Sequence, residues 1–178
     1  MRLFGLGKTK IRLDEFVNQM FDSHSSTMQD EKNKAHQHNR QEWLKAESWD
    51  YNMEGHVAEH EQLYLFLTLL LIPRFYPELG EEFNSKFKQK LLANTFTIDN
   101  ERFQKYRYVW EEAERTSVPS PGKAHFLDPI NALAQIACEI RFPGNESKAY
   151  YNIIMMTASI TGTVVGLQKV RNSISLKY

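Results

Sequence analysis

Residues 56–72 read His56-Val57-Ala58-Glu59-His60-Glu61-Gln62-Leu63-Tyr64-Leu65-Phe66-Leu67-Thr68-Leu69-Leu70-Leu71-Ile72. A short polar stretch with two histidines runs directly into an almost unbroken apolar run. The run is too long for a typical strand and shows no alternation, so it predicts a helix buried on most of its surface. Pro73 and Pro77 are expected to end that helix, because each lacks an amide donor and restricts the residue before it.

The helical pattern continues outward from this segment. Upstream, Asp14 is placed to cap a helix whose Phe16, Val17, Met20 and Phe21 share one face. Trp43, Leu44, Ala46 and Trp49 resume the same period after a polar interval. Downstream, Leu79, Phe83, Phe87 and Leu91 recur every four residues, and Asp99 is positioned to cap a helix carrying Phe103, Tyr106, Trp110 and Ala113. Asp128-Pro129 opens another helix, with Pro at its first position. Pro143-Gly144-Asn145 separates that helix from the last one, and Thr116 to Phe126 is a loop. No segment has a strand pattern flanked by hairpin turns. The expectation is an all-α, single-domain helical bundle of about six or seven helices spanning residues 1–178. Residues 1–12 form a basic N-terminal arm. Residues 22–42 form a polar segment that is either an exposed helical extension or a mobile loop.

Composition bounds the function classes. With 178 residues, 42% hydrophobic and 25% charged, the chain can bury a core unaided and is not of disordered type. Its formal net charge is zero, so no global field draws in nucleic acid. The distribution is uneven. Arg2, Lys8, Lys10 and Arg12 meet no acid in the first twelve residues, acids dominate from Asp14 to Glu61, and only bases follow Glu146. The lone cysteine, Cys138, excludes an internal disulfide and a cysteine zinc site, and a buried inert thiol is expected. Phe4-Gly5-Leu6-Gly7 is followed at once by charge and lacks signal-peptide length, so a cytoplasmic protein is expected.

Ala149–Gln168 carries no charge over the ~20-residue length of a spanning helix. Asn152, Thr157, Ser159, Thr161, Thr163 and Gln168 make it polar for that role, so a buried helix is expected, with a membrane anchor as the alternative. Within it Ala158, Gly162 and Gly166 lie four apart. That row predicts either a tight crossing inside the chain or a homodimer seam.

Several motifs bear on chemistry. Gly5-Leu6-Gly7-Lys8-Thr9 ends like a phosphate loop, but Arg2 occupies the position of its first glycine and no strand can precede it. Lys86, Lys88, Lys90, Arg102, Lys105 and Arg107 interleave with Phe87, Phe103, Tyr106 and Tyr108. Phe87, Phe103 and Tyr106 belong to the apolar stripes, so a solvated helical face accounts for the bases and nucleic acid is not an expected partner. His56-Val57-Ala58-Glu59-His60 matches the H-x-x-E-H arrangement of inverted zinc peptidases, in which histidines four apart hold zinc and the glutamate acts as base. A third ligand is missing.

His38 and Glu42, with His56 and His60, form a second arrangement that two antiparallel helices could bring together, with His36 or Glu59 as extra ligands. This spacing resembles part of the hemerythrin pattern over residues 38–60, a resemblance that implies a four-helix bundle with a di-iron, oxygen-binding centre. The later His and Asp pair of that family has no counterpart, since His125 and Asp128 stand at the wrong interval. An iron or zinc ion is the cofactor on this alternative; otherwise none is expected.

No nucleophile elbow, Ser-His-Asp order or paired catalytic carboxylate stands out. The first expectation is therefore a non-enzymatic interaction protein whose acidic region from Asp22 to Glu61 meets a protein partner, with Trp43, Trp49 and Glu54 as contact residues. The stripe Asn131, Gln135 and Glu139, on an otherwise apolar helix, is a second contact surface. A metal-binding bundle is the competing class. A third is a membrane-peripheral protein held by its basic N-terminus or last helix.

Overall fold

The computed structural model describes residues 9–38, 53–117 and 127–177. Within these residues it is an all-α bundle of six helices with a minimal two-stranded sheet. The elements in chain order are β1 (Thr9–Arg12), α1 (Leu13–His38), α2 (Met53–Phe75), α3 (Gly80–Ala93), α4 (Asn100–Thr116), α5 (Leu127–Arg141), α6 (Glu146–Ser173) and β2 (Ile174–Lys177).

The apolar run makes α2 the hub. Leu63, Leu65, Leu67, Leu71 and Ile72 are fully buried, and α2 packs against α1, α3 and α6, touching α4 and α5 as well. The four-residue repeat of α3 buries Leu79, Phe83, Phe87 and Leu91 as expected. Phe83 stacks on Phe87 at 5.4 Å and meets Phe16 of α1 at 5.6 Å. On α4, Tyr106 and Trp110 are sealed inside. Asp99 caps this helix as predicted, accepting a hydrogen bond from the Arg102 amide at 3.0 Å. Gly144, at φ 73°, supplies the left-handed step between α5 and α6.

Local expectations fail at several places. The helix of the apolar run does not stop at Pro73; it runs through it to Phe75 and ends before Pro77. The ring deletes one intrahelical bond, which burial of the surrounding turns outweighs. Asp14 lies inside the first turn of α1, behind β1, and its carboxylate accepts from Lys86 at 2.6 Å instead of capping. Asp128 likewise sits in the first turn of α5, which begins at Leu127, and accepts from the Ser117 hydroxyl at 3.0 Å.

The polar segment from residue 22 is no loop as far as His38, because α1 is continuous to that point. His24 and Met28 on it are buried against the bundle. The absence of strands is also corrected. Thr9, Lys10, Ile11 and Arg12 pair in parallel with Ile174, Ser175, Leu176 and Lys177. Two four-residue strands from opposite ends of the chain carry no hairpin signal, so local periodicity could not find them.

Candidate functional site

A groove with a volume of about 610 Å³ lies between α1 and α6, floored by α2. From Phe16 to Glu31 it follows α1 for about 22 Å, at about 1.5 Å rise per residue. One end is mostly apolar, walled by Phe16, Met20, Leu167, Val170 and Ile174, with Gln19 as its polar member. The other is polar, where Thr27 and Glu31 of α1 face His60 and Tyr64 of α2. Glu31 and His60 are paired at 2.8 Å between Oε2 and Nδ1.

The wall on α6 is the row of small residues. Ala158, Ser159, Gly162, Thr163 and Gly166 all line the groove. A Cβ placed on Gly162 or Gly166 meets no atom of the described residues within 4 Å. The expected tight crossing is therefore corrected: the row faces open space rather than a neighbouring helix. Small side chains here widen a channel.

Beside the groove, His24 is 0% exposed and stacks on Tyr64 at 4.8 Å, with Phe96 at 5.3 Å. Neither of its ring nitrogens has a hydrogen-bond partner among the described residues. Burial, then the charges of His60 and Lys32, lowers its pKa from 6.5 to about 4. It is held neutral at physiological pH.

The two carboxyl and imidazole groups of the apparent zinc motif go separate ways. Adjacent residues on a helix point about 100° apart, so His60 faces α1 while Glu59 faces α4. Glu59, 3% exposed, accepts from the Tyr106 hydroxyl and from Arg102 at 2.6 Å. Burial raises its pKa, outweighing the opposing effects of Tyr106 and Arg102. Burial and the neighbouring Glu59 charge raise that of Tyr106. Arg102 also reaches Asp99 at 3.3 Å. These groups tie α2 to the start of α4, and none of them lines the groove. Glu59 is thus sealed in the bundle and forms no part of an exposed acidic flank.

The remaining predicted residues are distributed as follows. Glu42, Trp43 and Trp49 lie outside the described residues, and so do the side chains of His36, His38, Glu54 and His56. No group of three or more His, Cys, Asp or Glu side chains that could hold a metal occurs among the described residues. Asn131, Gln135 and Glu139 form an exposed stripe on α5, with Gln135 donating to Glu139 at 2.9 Å. Several bases of the α3 and α4 stretches are engaged locally: Lys86 with Asp14, Lys90 with Asn18 at 2.8 Å, and Lys105 with Glu101 at 2.8 Å.

Sequence reasoning missed His24, Glu31 and Tyr64 as neighbours of His60. The available signal was the helical phase: His24, Met28 and Glu31 fall at i, i+4 and i+7 on α1. Comparison with protein-family models, with curated proteins and with solved structures finds no match to this chain.

Proposed function

We propose that this protein binds an elongated amphiphile in the groove between α1 and α6, with its chain at the Phe16–Ile174 end and its polar head at the Glu31–His60 pair. The observation that carries this reading is the groove itself, a channel of about 610 Å³ that is apolar at one end and polar at the other. Its volume falls in the range of small-molecule sites, which are mostly apolar with a few placed polar groups. The two glycines favour it further, because larger side chains at either position would narrow the channel.

The polar end selects the head group. Glu31 is an acceptor paired with a ring nitrogen donor, so a neutral or amine-bearing head that donates hydrogen bonds is favoured. A carboxylate head would meet the Glu31 charge. The role is binding rather than turnover, since the chemically tuned carboxylate, Glu59, is committed to Tyr106 and Arg102 away from the groove.

The test is a titration with monoolein and with oleate, read by displacement of a naphthalene-sulfonate fluorophore. Monoolein is expected to displace the dye from the native protein. Gly162→Phe with Gly166→Phe, which fills the groove, is expected to abolish that displacement while far-ultraviolet dichroism is unchanged. Displacement that survives the double substitution, or oleate binding as tightly as monoolein, would refute the assignment.

A further inference from the structure

We infer that a second surface, formed by the outer face of α6 and the β1–β2 ribbon at its end, docks peripherally on an anionic lipid bilayer. Tyr150, Ile154, Thr161, Val165 and Lys169 recur at 4-7-4-4 spacing and so share one face of α6. Tyr150 is 73% exposed, Ile154 76% and Val165 41%. Residues 152–173 are apolar and long enough to cross a membrane, yet only 28% of an apolar 18-residue window within them is buried inside the molecule. The charge-free stretch 149–168 is therefore not explained by packing in the bundle.

The sheet supplies the charge. Pairing of β1 with β2 brings the basic N-terminal stretch to the basic C-terminal one, with Arg12 opposite Lys177 in register. Ile11 is buried, while Lys10 and Arg12 on the alternate face are exposed. Lys169, also exposed, sits on the last turns of α6 beside the ribbon, whereas Arg171 turns the other way and lies over the Phe75 ring of α2 at 5.4 Å. No acid follows Glu146 to offset them. An exposed apolar helix face ending in clustered bases is the combination that lies in the interface of an anionic leaflet. A purely apolar partner would leave the bases unmatched. A nucleic acid would leave Ile154 and Val165 against water.

The test is flotation of the full chain with vesicles of phosphatidylcholine alone and of phosphatidylcholine with one-third phosphatidylserine. Binding is expected only to the serine-containing vesicles, and it should fade as salt rises. Lys10→Gln with Lys169→Gln should weaken binding roughly 25-fold, at about fivefold per base. Ile154→Ser should weaken it as well, whereas Lys88→Gln on exposed α3 should leave it unchanged. Should the double variant fail to fold, salt titration of the native protein carries the charge test alone. Failure to float, equal binding to both vesicles, salt-independent binding or an unchanged double variant would each overturn the inference. So would retention through an alkaline carbonate wash, which would mean a spanning helix, or a dimer abolished by Val165→Glu without vesicle binding.

Discussion

His24 should make the stability of this protein fall steeply below neutral pH. Its imidazole is fully buried against Tyr64 and Phe96, and its pKa is lowered from 6.5 to about 4. Because the folded value lies below the unfolded one, the unfolded chain binds a proton first as pH drops. The stabilisation is fully present above pH 6.5 and is lost as pH falls from there toward 4. The whole shift corresponds to about 3 kcal/mol, of which about 2 kcal/mol is expressed between pH 7.5 and pH 5. Glu59 works in the opposite sense: its raised pKa favours the folded state as pH falls, so the comparison must isolate His24. Urea unfolding of the native protein and of His24→Phe at both pH values does so. The native midpoint should drop by about 1 M more than the variant midpoint, for a slope of about 2 kcal/mol per molar. Equal drops in the two proteins would refute the reasoning, as would a nuclear magnetic resonance titration placing the His24 pKa near 6.5.

Three further outcomes follow from the packing. Gly162→Ala and Gly166→Ala should each stabilise the fold by about 0.5–1 kcal/mol in thermal or urea unfolding, since a helix-interior glycine is replaced where nothing crowds the new methyl; a loss of stability would mean a helix packs there. Tyr106→Phe should cost about 1–3 kcal/mol by urea unfolding, because the buried Glu59 loses a donor, and a neutral result would deny that hydrogen bond. Cys138, buried and with its thiol pushed up to about 11, should resist a disulfide reagent at pH 8 until denaturant is added; rapid labelling of the folded protein would contradict its burial.

Much of the fold was legible because it is written in local repeats. Leu79, Phe83, Phe87 and Leu91 announce their buried face, Asp99 announces a cap, and Pro143-Gly144 announces a break. What escaped depends on distant parts of the chain meeting. The β1–β2 pair joins the two ends, and nothing in four residues specifies a parallel partner so far away. Pro73 does not end the helix because burial of Leu71, Ile72 and Tyr76 around it outweighs the loss of one hydrogen bond.

The site was less legible for a related reason. The histidine-rich stretch drew attention to His60, but His60 finds Glu31 on the preceding helix, while Glu59 one position earlier turns to α4. A linear motif joins these neighbours; the helix separates them. The row Ala158, Gly162, Gly166 was visible as a pattern, yet a pattern of small residues does not say whether a helix or a channel lies opposite. Only the placement of α1 across from α6 decides that.

What the channel between α1 and α6 holds can be weighed directly. Native mass spectrometry of the protein and of its Gly162→Phe, Gly166→Phe variant, each incubated with monoolein and desalted, reads occupancy without a reporter dye. One monoolein per native chain and none on the variant is expected. A native chain without bound monoolein, or equal occupancy of the two proteins, would contradict it.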